Sequence, residues 1–278
     1  MMADALRVLV NGKPLDCIST SDRGLLYGDG LFETIAVSGG RLCHWARHLQ
    51  RLQSGCERLG IEAVNAAQLA EECRSLVQAS QQAVIKIIIT RGSGGRGYRV
   101  PERPRPTRVI QVHDWPDYPA SCAERGIKTR ICRARLGQNT SLAGIKHLNR
   151  LEQVLARREW DSPDIREGLM LDTNGHLVEG TMSNVFMVKG GILMTPDLTL
   201  CGVAGIMRAR LLELAQRHSI ESGIQPVEPD TLLQADEVFV CNSLIGIWPV
   251  IGVDEHAFTK GPVTAHLQTL LLDEPVSQ

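Results

Sequence analysis

Residues 84–107 read VIKIIITRGSGGRGYRVPERPRPT. Apart from Lys86, the first six residues are β-branched and Thr90 closes a short run, the composition of a buried strand. Gly92-Ser93-Gly94-Gly95-Arg96-Gly97 then meets the spacing of a dinucleotide-binding glycine loop. That fold needs a helix to begin at the loop, so that its first amides face a pyrophosphate. Here Pro101, Pro104 and Pro106 follow, and proline lacks the N–H and clashes with the preceding turn. A nicotinamide-binding doubly wound sheet is therefore excluded. What remains is a strand, a glycine loop carrying Arg91, Arg96, Tyr98 and Arg99, and a second strand over Thr107–His113. The loop reads either as a plain hairpin tip or as a lid whose arginines grip a carboxylated ligand.

Working outward, 6–11 is apolar and ends in the hairpin signal Asn11-Gly12. Residues 31–37 and 41–44 flank a second turn, Ser38-Gly39-Gly40. Leu49, Leu52, Cys56 and Leu59 fall at i, i+3, i+7 and i+10, one apolar stripe along a helix over Trp45–Leu59, and 67–79 forms another helix. The stretch 115–120 (WPDYPA) has two prolines and no period. It is expected to connect a smaller N-terminal α/β domain, 1–114, to a larger C-terminal domain, 121–278. The second half begins with a strand at 128–134. A helix over 148–160 follows, with Leu148, Leu151, Val154 and Leu155 on one side. Strands at 168–172, 177–179, 183–188 and 192–195 turn at Asn174-Gly175 and Gly190-Gly191. A helix at 205–215 and a strand at 237–241 complete the set. The fold class is α+β, rich in antiparallel hairpins and divided into two domains.

Composition narrows the function. The chain has 278 residues, 43% apolar and 22% charged, the balance of an ordinary globular protein. Its net charge of −1 argues against a dedicated nucleic-acid binder and against a polybasic membrane-surface protein. No stretch approaches the roughly 18 apolar residues of a membrane span, and Asp4 and Arg7 interrupt the start as no signal peptide would. A cytoplasmic protein is expected. No two of the eight cysteines lie closer than ten residues, which points to free, mostly buried thiols. With no CxxC and no HExxH, no metal is expected, and His113 and His147 read as structural or supporting residues. No GxSxG elbow is present.

Only six lysines stand among the 30 basic residues, so lysine chemistry has few candidates. Lys146 lies in Ala143-Gly144-Ile145-Lys146-His147-Leu148-Asn149, between a glycine and a helix; Lys86 lies in the strand. Burial lowers a lysine's pKa and makes a nucleophile or base of it, and the residues alone do not choose between the two. Glu179 ends a strand before Gly180-Thr181-Met182-Ser183-Asn184, a possible ligand edge. Gly205, Ile206 and Met207 open a helix whose first amides can hold an anion. Arg51 flanks the apolar stripe of its helix and can face a phosphate. Each has a plainer reading: a solvated lysine, a strand-end carboxylate, an ordinary helix start, a surface arginine. Together, Lys146, Glu179 and the Gly205 helix start with Arg51 supply what pyridoxal phosphate requires: a Schiff-base lysine, an acid beside the pyridine nitrogen, and a phosphate cup.

At this point the chain resembles the fold-type IV pyridoxal-phosphate enzymes. That family holds branched-chain aminotransferases, D-amino-acid aminotransferases and 4-amino-4-deoxychorismate lyases. The resemblance rests on Tyr27-Gly28-Asp29-Gly30-Leu31-Phe32-Glu33, His48-Leu49-Gln50-Arg51-Leu52, Lys146, residues 179–184, Gly205-Ile206-Met207-Arg208 and 236–250. Residues 91–98 (RGSGGRGY) and 143–153 (AGIKHLNRLEQ) look most like the lyases. The resemblance implies a two-domain fold with pyridoxal 5'-phosphate in the interdomain cleft, and a homodimer. It assigns Lys146 as the Schiff-base lysine, Glu179 as the partner of the pyridine nitrogen and Arg51 as the phosphate arginine. Ser183, Asn184, Gly205, Ile206, Met207, Asn242 and Ser243 fall on or beside the cofactor. Tyr27, Arg91, Arg96 and Tyr98 fall on the substrate side. Branched-chain aminotransferases carry a tyrosine five residues after the lysine; Leu151 stands there instead and argues against that branch. The implied reaction converts 4-amino-4-deoxychorismate to 4-aminobenzoate and pyruvate, a step toward folate. The alternatives are a D-amino-acid or other class-IV aminotransferase, a nicotinamide oxidoreductase and a non-catalytic ligand-binding module.

Overall fold

The computed structural model describes residues 7–77 and 82–273, which divide into two units. The first holds the described residues up to Pro116 together with Ile145–Asn149. Its elements are β1 (Val8–Val10), α1 (Arg23–Tyr27), β2 (Gly30–Ser38), β3 (Arg41–Leu42), α2 (Trp45–Leu59), α3 (Ala66–Val77), β4 (Gln82–Thr90) and β5 (Thr107–His113). The strands form one sheet in the order β1-β5-β4-β2-β3, antiparallel at every pairing. The β-branched run is its centre. Period two turns Ile85, Ile87 and Ile89 to one face, where they bury with Leu31, Ile35 and Ile110 against Leu52 and Cys56 of α2 and Leu69 and Cys73 of α3. Asn11 and Gly12 take φ of 51° and 76°, the positive pair that a two-residue hairpin turn requires. No helix follows the glycine loop 92–97. The end of the helix expected at 67–79 falls outside the described residues.

Ile145–Asn149 belongs with this unit because β2 has a free edge. β3 pairs only with Val37 and Ser38. Lower on that edge, Leu31 bridges His147 in antiparallel sense. Phe32 N donates to the Lys146 carbonyl at 3.0 Å, and Leu148 N donates to the Gly30 carbonyl at 3.0 Å. Ile145 thereby enters the core. The division of the chain at 115–120 did not anticipate this exchange: the strip that carries the lysine satisfies its backbone on the first unit's sheet. The same pairing corrects the helix expected from 148. The Leu148 amide is committed to the Gly30 carbonyl, so α5 begins only at Leu151. Its buried residues are Gln153 and Ala156, while Leu151, Val154 and Leu155 are exposed.

The second unit holds Asp117–Gly144 and the described residues from Arg150 onward. Its elements are α4 (Ser121–Glu124), β6 (Ile127–Leu136), α5 (Leu151–Arg157), β7 (Ile165–Asp172), β8 (Leu177–Gly180), β9 (Asn184–Lys189), β10 (Ile192–Pro196), α6 (Ile206–Arg217), β11 (Ser222–Gln225), α7 (Pro229–Leu233), β12 (Glu237–Asn242), β13 (Gly246–Val253), β14 (His256–Ala257) and α8 (Pro262–Asp273). The sheet runs β11-β10-β9-β12-β13-β6-β7-β8, with β14 beside β13. Both faces of its centre are covered, so its strands are almost continuously apolar. Phe186, Phe239 and Ile247 pack on Leu211 of α6 and Leu267 of α8. Val185, Val238 and Val250 pack on Leu232 of α7. β13, which contains Pro249, is not among the strands expected from the sequence. Proline is accommodated because β6 pairs with β13 only from Val250 onward. Among the described residues no helix is long and apolar enough to cross a membrane.

Replacing Ile145 with Ala should cost about 3 kcal/mol, as for other buried aliphatic truncations. Urea unfolding of the two proteins measures it.

Candidate active site

The edge register decides where Lys146 points. Ile145 faces the core, so its neighbour takes the opposite face, the face of Phe32. The Lys146 ammonium lies 4.5 Å from the centroid of the Phe32 ring. Lys86, from β4, reaches the same ring at 5.6 Å. The two lysines that the sequence set as rivals thus both approach the Phe32 ring, which attracts cations. Thr34 pairs with Lys86 across the sheet and occupies the same face. Neither Phe32 nor Thr34 carried a chemical signal in the sequence.

One residue along β2 the opposite face holds a buried cluster. Glu33 Oε1 accepts from Arg51 Nε at 2.8 Å, Glu33 Oε2 accepts from Arg51 Nη2 at 2.5 Å, and His48 Nδ1 lies 2.6 Å from Oε2. Burial alone would raise the Glu33 carboxyl, but the charge and hydrogen bonds of Arg51 and His48 hold it at about 2. Burial lowers the His48 pKa, and the Arg51 and Lys146 charges add to that. His48 Nε2 is buried without a partner among the described residues. Sequence reasoning missed Glu33. Its signal was a lone acid at a core-facing position between Leu31 and Ile35.

The glycine loop is tied down from outside itself. Arg91, expected on the substrate side, has its donors engaged within the first unit. Its guanidinium is buried, donates twice to Asp29 at 2.8 and 3.0 Å, and reaches the Leu59 and Gly60 carbonyls at the end of α2, each at 2.7 Å. Burial would raise the Asp29 carboxyl; hydrogen bonds and charge from Arg91 and Arg23 bring it below its ordinary value. Asp22 caps α1 through Gly24 N and accepts from the Thr90 and Thr107 hydroxyls. The Tyr27 hydroxyl accepts from Gly97 N at 3.2 Å. Arg96 and Tyr98 are exposed.

In the second unit, Glu179 ends its strand buried, and its Oε2 accepts from Val203 N at 2.8 Å. The half-buried Arg150 adds its positive field to that carboxylate's surroundings. Gly205 caps α6 with no side-chain partner, so the first amides of the helix, at Ile206 and Met207, lack a capping acceptor. A Cβ at Gly205 would stand 1.9 Å from Asn184 Oδ1, so a larger residue there would have to displace the Asn184 amide. Ser183 and Asn184 support this edge: the Ser183 hydroxyl donates to Glu167 at 2.6 Å, and Asn184 Nδ2 donates to the Val203 carbonyl at 2.9 Å. Arg208 turns inward to Thr195 and the Pro196 carbonyl. Asn242 shapes its turn, accepting from Leu244 N and Ile245 N and donating to the Met182 carbonyl, with Ser243 partly exposed beside it.

Each unit, taken by itself, carries groups that a phosphorylated pyridine aldehyde can use. The first unit offers an amine and an arginine held by a buried carboxylate. The second offers a second buried carboxylate and an uncapped helix start, a ready anion site. Among the described residues no group of three or more His, Cys, Asp or Glu is arranged to hold a metal ion.

Residues 30–253 match the amino-transferase class IV family, and the chain belongs to it. Its members among the relatives below are pyridoxal phosphate enzymes. The chain is 38% identical to the aminodeoxychorismate lyase of Vibrio harveyi over 93% of this chain and 97% of that one. It superposes on the crystal structure of 4-amino-4-deoxychorismate lyase from Pseudomonas aeruginosa with a TM-score of 0.93 and 47% identity, covering 96% and 98% of the two chains. A branched-chain amino acid aminotransferase of Escherichia coli superposes with a TM-score of 0.86 and 28% identity, covering 97% and 94%.

Replacing Glu33 with Gln should destabilise the protein by about 3 kcal/mol at neutral pH, because Arg51 loses its counter-charge. A carboxyl held below its ordinary 4.5 stabilises the fold above that pH, and the contribution fades as pH falls toward 2. The difference between Glu33→Gln and the parent in urea unfolding should shrink over that window.

Proposed function

We propose that this chain is a pyridoxal phosphate-dependent lyase that converts 4-amino-4-deoxychorismate to 4-aminobenzoate and pyruvate. The observation that carries the reading is Lys146: its backbone is fixed on β2 and its ammonium on Phe32, within a chain similar end to end to two such lyases. When bound, the cofactor withdraws electrons from the substrate's amine-bearing carbon.

The chain's residues do the rest. Lys146 would hold the cofactor through its amine, and its freed amine would then act as the base. Lys146 Nζ then takes the proton from the amine-bearing ring carbon. Glu179, buried at its strand, would keep the pyridine nitrogen protonated. Arg51, aimed by Glu33, and the Ile206 and Met207 amides hold the phosphate; Gly205, Asn184, Ser183, Asn242 and Ser243 shape that edge. The C–O bond to the enolpyruvyl group breaks as the ring becomes aromatic, which supplies driving force. Lys146 or a water returns a proton to the departing enol. The substrate carries two carboxylates, and Arg96, with Tyr27 and Tyr98, binds on that side. Lys86, which also approaches the Phe32 ring, adds a second cation there.

The protein is further proposed to act as a cytoplasmic homodimer. Support comes from large apolar side chains left exposed on the single chain, Leu25, Leu26, Leu151 and Val154 among them. Light scattering should give twice the chain mass of 30.5 kDa; a monomer would refute the dimer.

The deciding assay mixes protein, pyridoxal phosphate and 4-amino-4-deoxychorismate. 4-Aminobenzoate and pyruvate should appear in equal amounts. Lys146→Ala should abolish them, and Glu179→Gln should slow turnover by about 100-fold. Amino transfer to a keto acid without 4-aminobenzoate would instead support an aminotransferase.

A further inference from the structure

A single side chain from α1 governs the loop that follows β4. Arg23 is buried, with 4% of its side chain exposed. Its Nη1 donates to the carbonyls of Gly97 at 3.1 Å and Arg99 at 3.4 Å, and its Nη2 donates to the Tyr98 carbonyl at 3.2 Å. Its Nε donates to Asp29 Oδ2 at 2.8 Å, the oxygen that Arg91 also holds. Its guanidinium carbon lies 4.9 Å from the centroid of Tyr27. Tyr27 in turn accepts from Gly97 N and stands 5.3 Å from the Tyr98 ring. Asp29 shares its single charge between Arg23 and Arg91, and backbone carbonyls take the other Arg23 donors, so Arg23 is spent on geometry and not on attracting a ligand.

The consequence lies on the other side of the backbone. Three successive carbonyls turned inward to one guanidinium leave the side chains of this stretch outward. Tyr98 is 84% exposed, an unusual state for an aromatic ring on so constrained a backbone. Glycines at 92, 94, 95 and 97 would otherwise leave the segment free to wander. A binding loop fixed before its ligand arrives avoids the ordering cost at the moment of binding.

We propose that Arg23 is the positioning residue of the substrate-binding loop. It holds the 97–99 backbone so that Arg96 and Tyr98 stand ready for a carboxylated cyclohexadiene substrate. The inference rests on the lyase reading above. Lysine cannot replace Arg23, because a point charge cannot serve three carbonyls and a carboxylate at once.

The test compares the holoenzyme with Arg23→Lys, Arg23→Ala, Arg96→Ala and the double variant Arg23→Ala/Arg96→Ala. KM for 4-amino-4-deoxychorismate should rise about tenfold in Arg23→Ala and in Arg96→Ala. Turnover number should stay within about threefold, and the cofactor's absorption should be unchanged. The double variant should be little worse than either single one, because both remove the same contact. Trypsin should cleave after Arg96 and Arg99 faster in both Arg23 variants. A KM within about twofold of the parent, or effects that multiply in the double variant, would overturn the proposal. If Arg23→Ala does not fold, Arg23→Lys makes the same comparison. A parent protein that binds cofactor but forms no 4-aminobenzoate refutes the lyase reading. The trypsin comparison then still judges the tether, and unchanged cleavage refutes it.

Discussion

The backbone of Ile145–Asn149 lies along an edge that β3 leaves open, and the chemistry follows from that pairing. A strand alternates its side chains between two faces, so a slip of one residue would exchange every one of them. With Leu31 opposite His147, Ile145 fills the core and Lys146 meets Phe32. The neighbouring residue of β2 faces the other way, and Glu33 meets Arg51 and His48 there. One strand thus presents an aromatic platform for two lysines on one side and a buried acid for an arginine on the other.

Three carboxylates organise the rest, Glu167 and Glu237 buried and Asp29 partly so. Each recovers its lost hydration from donors supplied by separate stretches of chain. Asp29 gathers Arg23 and Arg91 and so ties α1 to the glycine loop. Glu167 accepts from Thr181, Met182 and Ser183, and so fixes the turn after Glu179; burial holds its carboxyl above the ordinary value in spite of those bonds. Glu237 accepts from Val263 N, Thr264 N and the Thr264 hydroxyl at the start of α8. A carboxylate can accept several bonds at once, which suits it to holding loops that have no ladder of their own. Seven of the eight cysteines are buried, and burial raises the thiol pKa of six of them, including Cys43, Cys56 and Cys241, so they pack as small apolar groups.

Local signals were legible where one principle acted alone. Proline after Gly97 ruled out a helix there, and the stripe of Leu49, Leu52, Cys56 and Leu59 set α2. They misled where a distant partner intervened. Leu148 looks helical beside Leu151 and Leu155, but its amide is drawn to the Gly30 carbonyl. β13 is missing from the expected strands, and its Pro249 sits where β6 has not yet begun to pair. Arg91 looks like a ligand clamp in a glycine loop, yet Asp29 and two carbonyls of the preceding helix absorb its donors.

The sequence by itself determined the α+β class, most element positions and the small set of groups able to do amine chemistry. Those follow from periodicity, turn residues and the scarcity of lysine, all of which act over a few neighbours. Only the tertiary structure decided that Lys146 and Lys86 both approach Phe32, that Glu33 aims Arg51, and that Arg23 holds the loop carrying Tyr98. Each depends on strand register and on burial. Those are fixed by pairings between residues tens of positions apart, and no local pattern encodes them.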